Sequence, residues 1–323
     1  MLRAVGEIKR DTQENILLKQ KFMEINVDGK PIRYAEANRF SYKRVSSLFT
    51  KEPTTCPWID TFSADDVFFD VGANVGMYSI YAAQFRGCRV FSFEPESQNY
   101  AELNKSIWLN GLHSRMTAYC CAISSEERMS VLHLSTFGPA FAHHDFHDNL
   151  WEKDKRLGAE VYKKDERLTQ GCISGSLDRL VADGTLPSPN HIKVDVDGLE
   201  SKVIESCKNI LASPTLKTIL VEIDFSYAEN IKIVNKLQSL GWQFSQDQVR
   251  INQHEILSYE QFQQRMINKQ GGQNFIFFKD QSYHEFFRKF AADYIPPNPI
   301  QKDQLKKAPA AQKKTWFSRF MRQ

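Results

Sequence analysis

No CxxC pair, no G-x-G-x-x-G run and no long apolar stretch occurs in these 323 residues. The uncharged, apolar-leaning run from Val71 to Gln84 is too short and too polar to span a bilayer. The first residues carry Arg3, Glu7, Lys9 and Arg10, which argues against the apolar core of a secretory signal. Glycine (15) and proline (12) are scarce enough to exclude collagen-like and low-complexity classes. What is present is 41% hydrophobic and 25% charged sequence, enough for a filled core. The length suggests about two domains, or one large α/β domain with additions.

The six cysteines (56, 88, 120, 121, 172 and 207) have no metal spacing. Cys120 and Cys121 are neighbours in an apparent strand and so point to opposite faces, poorly placed to bridge. Reduced thiols and a cytoplasmic location are the expectation. The net charge of +3 is uneven. Pro299 to Gln323 holds seven basic residues against Asp303 alone, a local +6 that leaves the remainder at −3. A mildly acidic body argues against a nucleic-acid surface. The tail run from Lys313 to Arg322 mixes basic residues with Trp316, Phe317, Phe320 and Met321. It reads as a disordered solubilising tail, with weak peripheral contact to an anionic membrane as the alternative.

Residues 1–65 read as an irregular lead-in, with short strands at Lys21–Asn26 and Ile32–Tyr34 about Asp28-Gly29 and a short helix over Arg39–Phe49. From residue 66 strands alternate with helices of ten or so residues, the signature of βαβ units and a mainly parallel sheet. Strands are expected at Val67–Val71, Arg89–Phe93, Met116–Ile123, His191–Val196 and Thr218–Ile223. Helices are expected at Met77–Phe85, Asn99–Asn110, Leu199–Leu211 and Ala228–Leu240. Trp242–Phe244 and Asn274–Phe278 form a closing antiparallel pair. Met129–Leu134 alternates like a hairpin arm, and 135–175 is a variable insertion over the sheet's mouth. The organisation is thus 1–65 lead-in, 66–280 main domain and 281–323 C-terminal extension.

The first strand ends in Asp70 and turns through Val71-Gly72-Ala73-Asn74-Val75-Gly76. Gly72 lets backbone approach a ligand, and Gly76 lets the next helix pack close. The second strand ends at Glu94, 24 residues after Asp70, the spacing at which an acid reaches a ribose diol bound over the first turn. An acid at Asp70 repels a pyrophosphate and attracts a sulfonium. S-adenosylmethionine is therefore favoured over a nicotinamide dinucleotide.

Four ordered blocks, "VFFDVGANVGMYSIYAA", "VFSFEPESQNYAELNKSIWLNG", "IKVDVDGLESKVIES" and "ILVEID", resemble the FkbM family of S-adenosylmethionine-dependent methyltransferases. The likeness covers roughly 66–225, with "NFIFF" near 274 similar to the closing strand. It implies a Rossmann-like methyltransferase fold and transfer to an oxygen of a sugar, glycan or other hydroxylated small molecule. It places Asp70, Gly72, Ala73, Asn74 and Gly76 under the methionine part, Glu94 on the ribose, and Cys121, Ala122 and Ile123 beside the adenine. Those last three read equally well as core strand. Where the family pattern is Lys-x-Asp-x-Glu-Gly, this chain has Lys193, Asp195, Asp197 and Gly198, one methylene shorter at 197.

Catalytic candidates are the strand-end acids Asp195, Asp197 and Glu222, joined by Asp224 and, in the histidine-rich stretch, by His144. If its strand persists, Asp195 shares a face with Asp197. Lys193 is the cation able to offset these acids. A divalent metal across them is a minor alternative to cofactor contact or helix capping. His143 and His147, at i and i+4, invite a zinc reading, but no third ligand is spaced for it. The competing functions are a cofactor-binding scaffold without turnover and an NAD-linked oxidoreductase.

Overall fold

The computed structural model describes residues 21–142, 144, 168–226, 228–251, 255–295 and 306–307. The elements are β1 (Phe22–Val27), β2 (Lys30–Ala35), α1 (Arg39–Ser46), α2 (Thr55–Ile59), β3 (Val67–Val71), α3 (Met77–Tyr81), β4 (Arg89–Phe93), α4 (Ser97–Leu109), β5 (Met116–Tyr119), β6 (Ala122–Ile123), β7 (Met129–Leu134), β8 (Leu168–Gly175), α5 (Leu177–Ala182), β9 (His191–Val194), α6 (Glu200–Glu205), α7 (Lys208–Ala212), β10 (Thr218–Asp224), α8 (Ala228–Ser239), β11 (Gln243–Phe244), α9 (Gln246–Val249), α10 (Tyr259–Ile267), β12 (Gly272–Phe278), α11 (Ser282–Asp293) and β13 (Lys306–Lys307).

Every residue of β3 is buried, as a continuous apolar run predicts for a strand covered on both faces. It is the middle one of five parallel strands in a seven-stranded sheet of order β11-β12-β10-β9-β3-β4-β5. The β5-β4-β3-β9-β10 pairs are parallel, and β12 runs antiparallel to β10 and β11. The fold class is the expected α/β one, a mainly parallel sheet with an antiparallel closing strand. One face packs on Trp58, Tyr78, Ile80, Leu103 and Phe287; the other on Val203, Leu211, Leu237 and Phe262.

Four expected boundaries differ. The Met116–Ile123 strand breaks after Tyr119, and Ala122–Ile123 pairs with Ser174–Gly175 in a separate small sheet of order β6-β8-β7. Part of the 135–175 insertion is therefore strand β8, the antiparallel partner of β7. Cys172 is buried in that sheet and Ile173 exposed, an alternation too short and glycine-broken to read from sequence. The His191 strand stops at Val194, because Asp197 (φ 57°) and Gly198 (φ 111°) turn the chain. The Leu199–Leu211 helix is two helices parted at Ser206–Cys207.

The lead-in is more ordered than its composition suggests. Asp28 (φ 50°) and Gly29 (φ 80°) make a two-residue hairpin turn of the primed kind. Trp58 of α2 donates its indole N–H to Thr218 Oγ1 at 2.8 Å, tying the segment to β10. Lys306–Lys307 of the basic tail adds an edge strand beside β1. The Lys313–Arg322 run, His143 and His147 lie outside the described residues. Among the described residues no helix is long and apolar enough to cross a membrane.

Candidate active site

Parallel strands of an α/β sheet leave their carboxyl ends open to a ligand. Here the ends of β3, β4 and β9 and the link between β5 and β6 border a crevice of about 690 Å³, including its open mouth. The turn after β3 is held to the next strand, since Gly72 and Ala73 both donate their N–H to the Phe93 carbonyl, at 2.9 and 3.1 Å. Gly72 (φ 83°) lines the crevice, but its missing Cβ answers a different need. A methyl group there would stand 1.9 Å from the Asp195 carbonyl oxygen. The glycine allows the chain leaving β9 to pass close to the turn. Gly76 (φ 82°) would place a Cβ 2.2 Å from Leu103 Cδ1, so it serves packing on α4. Ala73 is buried in the core beneath the turn.

Asp70 is corrected more sharply. It is 2% exposed and accepts the Ser79 hydroxyl proton. It does not line the crevice. Burial pushes its carboxyl up from the usual range, with Lys193 opposing. Residues alternate across a strand, and Asp70 falls on the face covered by α3. It therefore lies on the other side of the strand from the crevice lining, where the likeness placed it under the methionine part.

Glu94 is in the crevice wall and 4% exposed. Its Oε2 accepts the Asn74 N–H at 2.8 Å and its Oε1 the Glu96 N–H at 2.9 Å. Oε1 also accepts from Asn99 Nδ2 at 3.5 Å, so it is Oε2 that keeps a lone pair for another donor. Burial dominates over these bonds and raises the carboxyl to about 7. A strap that sequence reading did not foresee crosses above it. The Phe141 carbonyl accepts from Asn74 Nδ2 at 2.7 Å and from Asn99 Nδ2 at 3.1 Å. Arg44 Nε donates to the Ala140 carbonyl at 2.8 Å, and the Phe141 ring packs on Phe40. Nothing in the local sequence signals these bonds, which join residues up to 96 positions apart.

Cys121, Ala122 and Ile123 border the crevice on its apolar side. Burial pushes the Cys121 thiol up to about 12, so it stays neutral. His144 also lines the crevice, yet its Nδ1 accepts the Ser135 N–H at 3.3 Å. In that tautomer the other nitrogen carries the proton, an arrangement unsuited to a base.

Three of the predicted acids do meet. Asp195, Asp197 and Glu222 can each bring one carboxylate oxygen within 4.8 Å of the others, close enough to share a divalent cation. They converge through the Asp195–Gly198 turn rather than through the strand extension expected. Glu200 sets that turn, accepting the Val196 N–H at 3.2 Å and the Gly198 N–H at 3.0 Å. Sequence reading missed it, although an acid opening a helix just after glycine is a capping signal. Asp224 instead accepts from Ser226 N at 2.8 Å and caps the next turn.

Lys193, 2% exposed, supplies the offsetting cation. Its Nζ is 2.7 Å from Asp195 Oδ2 and 3.8 Å from Glu52 Oε2. Lys193 holds Asp195 well below the usual carboxylate range against its burial. The ionised Asp195, then burial, pushes Glu222 well above it. Glu52 is held ionised, chiefly by Lys193 and Lys51, and also accepts from Thr55 Oγ1 and Asn274 Nδ2. Lys51 and Glu52 come from the lead-in, and no spacing signal in Lys51-Glu52-Pro53 marks them.

The methyltransferase FkbM domain model matches residues 70–264. Methyltransferase sdnD of Sordaria araneosa is 28% identical over 195 residues, 53% of this chain and 73% of that protein. Hexuronic acid methyltransferase AglP of Haloferax volcanii is 25% identical over 203 residues, 62% of this chain and 74% of that relative. The crystal structure of methyltransferase FkbM from Methylobacillus flagellatus KT overlays with a TM-score of 0.42 at 12% identity. That overlay covers 75% of this chain and 50% of the other.

Proposed function

This chain belongs to the methyltransferase FkbM domain family, and from that membership we propose that it transfers a methyl group from S-adenosylmethionine to an oxygen of a hydroxylated small molecule, a sugar or glycan foremost. The observation that carries this reading is Glu94. A buried carboxylate whose Oε2 keeps a lone pair, at the end of the strand next to the first turn, suits a hydroxyl of a ribose. The apolar border of Cys121, Ala122 and Ile123 suits an adenine, and Gly72 and Asn74 complete the floor. That the Haloferax relative is named for hexuronic acid supports a sugar acceptor.

When bound, the cofactor supplies an electrophilic methyl on a sulfonium. The protein's share is alignment, which can lower the barrier by several kcal/mol and up to about 7–11 in ideal cases. It must also take a proton from the acceptor hydroxyl. Of the acids, Asp195 is a weak base because Lys193 stabilises its ionised form. Glu222 is the stronger base, its proton affinity raised by that same Asp195. The base role proposed therefore falls to Glu222, with Asp195 and Lys193 setting its basicity.

Titration calorimetry with S-adenosylhomocysteine tests the cofactor, and no heat of binding refutes the proposal. Incubating the protein with isotopically labelled donor and a host extract, then reading labelled products by mass spectrometry, tests turnover. Binding without any labelled product would favour the non-catalytic scaffold.

A further inference from the structure

The acid trio has a second side. Lys51, Glu52 and Thr54, in the loop between α1 and α2, line a cleft of about 530 Å³, its open mouth included, together with Gln273 and Asn274 of β12. Glu222 is also in its wall. This cleft and the cofactor crevice share no lining residue. They meet only through carboxylates, since Asp195 and Asp197 line the crevice and reach within 4.8 Å of Glu222. A hydroxyl in the cleft and a ligand in the crevice would therefore address the same three acids from opposite sides.

The lining has a chemistry of its own. Carboxylate, primary amide and hydroxyl groups present donors and acceptors side by side, which matches adjacent ring hydroxyls rather than an apolar acceptor. Behind Glu52 lies Tyr78, 5% exposed, whose hydroxyl faces the Glu52 carboxylate. Its ring rests against Lys193, with Nζ 5.3 Å from the centroid. Lys51, its side chain 40% exposed and 3.2 Å from Glu52, adds a cation to the cleft.

We infer that this cleft is the acceptor subsite, that it takes a ring bearing vicinal hydroxyls, a neutral sugar or a uronic acid, and that it presents one hydroxyl to Glu222. The inference rests on the methyltransferase reading above and adds where the acceptor sits and what recognises it.

Gly272 gives the test. A Cβ built there would lie 3.4 Å from Glu222 Oε1, in ordinary contact and with no positive φ to strain. Gly272→Val thus fills the cleft beside Glu222 with a residue that suits a strand. Saturation-transfer NMR on the full chain, loaded with S-adenosylhomocysteine, uses D-glucose and D-glucuronate as probes. Wild type should transfer saturation to at least one sugar. Gly272→Val should cut that signal at least fivefold while S-adenosylhomocysteine affinity stays within twofold, which also shows that the variant folds. Should valine not be tolerated, Gly272→Ala is read in the same way. A glucuronate signal that exceeds glucose and falls to its level in Lys51→Met identifies a uronic acid; equal signals identify a neutral sugar. No transfer to either sugar, or transfer unchanged in the Gly272 variant, overturns the subsite and leaves the methyltransferase reading standing. Failure of the wild type to bind S-adenosylhomocysteine overturns both.

Discussion

Glu94→Gln separates the cost of burying an acid from the use the protein makes of it. Burial raises the Glu94 carboxyl from 4.5 to about 7. Between those values the native state holds a proton that the unfolded chain has released, so stability falls as pH rises. Integrated between pH 5 and pH 8, this linkage removes about 2–3 kcal/mol from the wild type. Glutamine has the shape of the protonated acid and does not titrate. At pH 5 the glutamine variant should be the less stable, because its amide N–H₂ must face one of the two backbone N–H groups, of Asn74 and Glu96, that the two oxygens of the acid accept. By pH 8 that gap should have moved in favour of the glutamine variant by about 2–3 kcal/mol, since only the wild type loses stability as pH rises. Cofactor affinity should move the other way. Ribose hydroxyls donate to the ionised form, so wild-type affinity for S-adenosylhomocysteine should rise through pH 7. The variant should bind with a flat pH profile and about 10- to 100-fold more weakly at pH 8, the worth of charged hydrogen bonds. Urea titrations at the two pH values and calorimetry across the range measure both. Parallel stability curves for the two proteins would refute the burial argument, and unchanged affinity would remove Glu94 from the ribose.

Glu222→Gln should lower kcat by about 10²–10⁴-fold and abolish an acidic limb that, in the wild type, lies well above pH 4.5; an unaltered pH–rate profile would clear Glu222 of the base role. Gly72→Ala should destabilise by about 4 kcal/mol or more, through positive φ and the collision with the Asp195 carbonyl, as a drop in Tm reports. Asp66→Asn should cost about 1–3 kcal/mol at neutral pH, since Asp66 Oδ2 meets His191 Nε2 at 3.1 Å while His191 stacks on Phe62. The bonds from His191 and Lys217 hold Asp66 below its usual range, so that advantage should shrink as pH falls below about 4, visible in acid unfolding curves.

How much of this was legible from residues alone follows from the range of the forces involved. Strand β3, its glycine turn and Glu94 are set by local rules: an apolar run, positive φ at fixed positions and the spacing from one strand end to the next. Order along the chain was enough to give the alternation of strands and helices and the family likeness. Side-chain direction was not. Asp70 and Glu94 both end strands, yet only Glu94 faces the crevice, because alternation across β3 turns Asp70 toward Ser79 and α3. Asp195 and Asp197 converge with Glu222 through a left-handed turn that Glu200 fastens, where an extended strand had been expected. Lys51 and Glu52 stand some 140 residues before Lys193 in sequence, and only the packing of the lead-in against β10 and β12 brings them into its charge network. Buried charge is compensated by whichever chain segment happens to fold over it. That makes the residue types of the site a property of the sequence, and their ionisation a property of the tertiary structure.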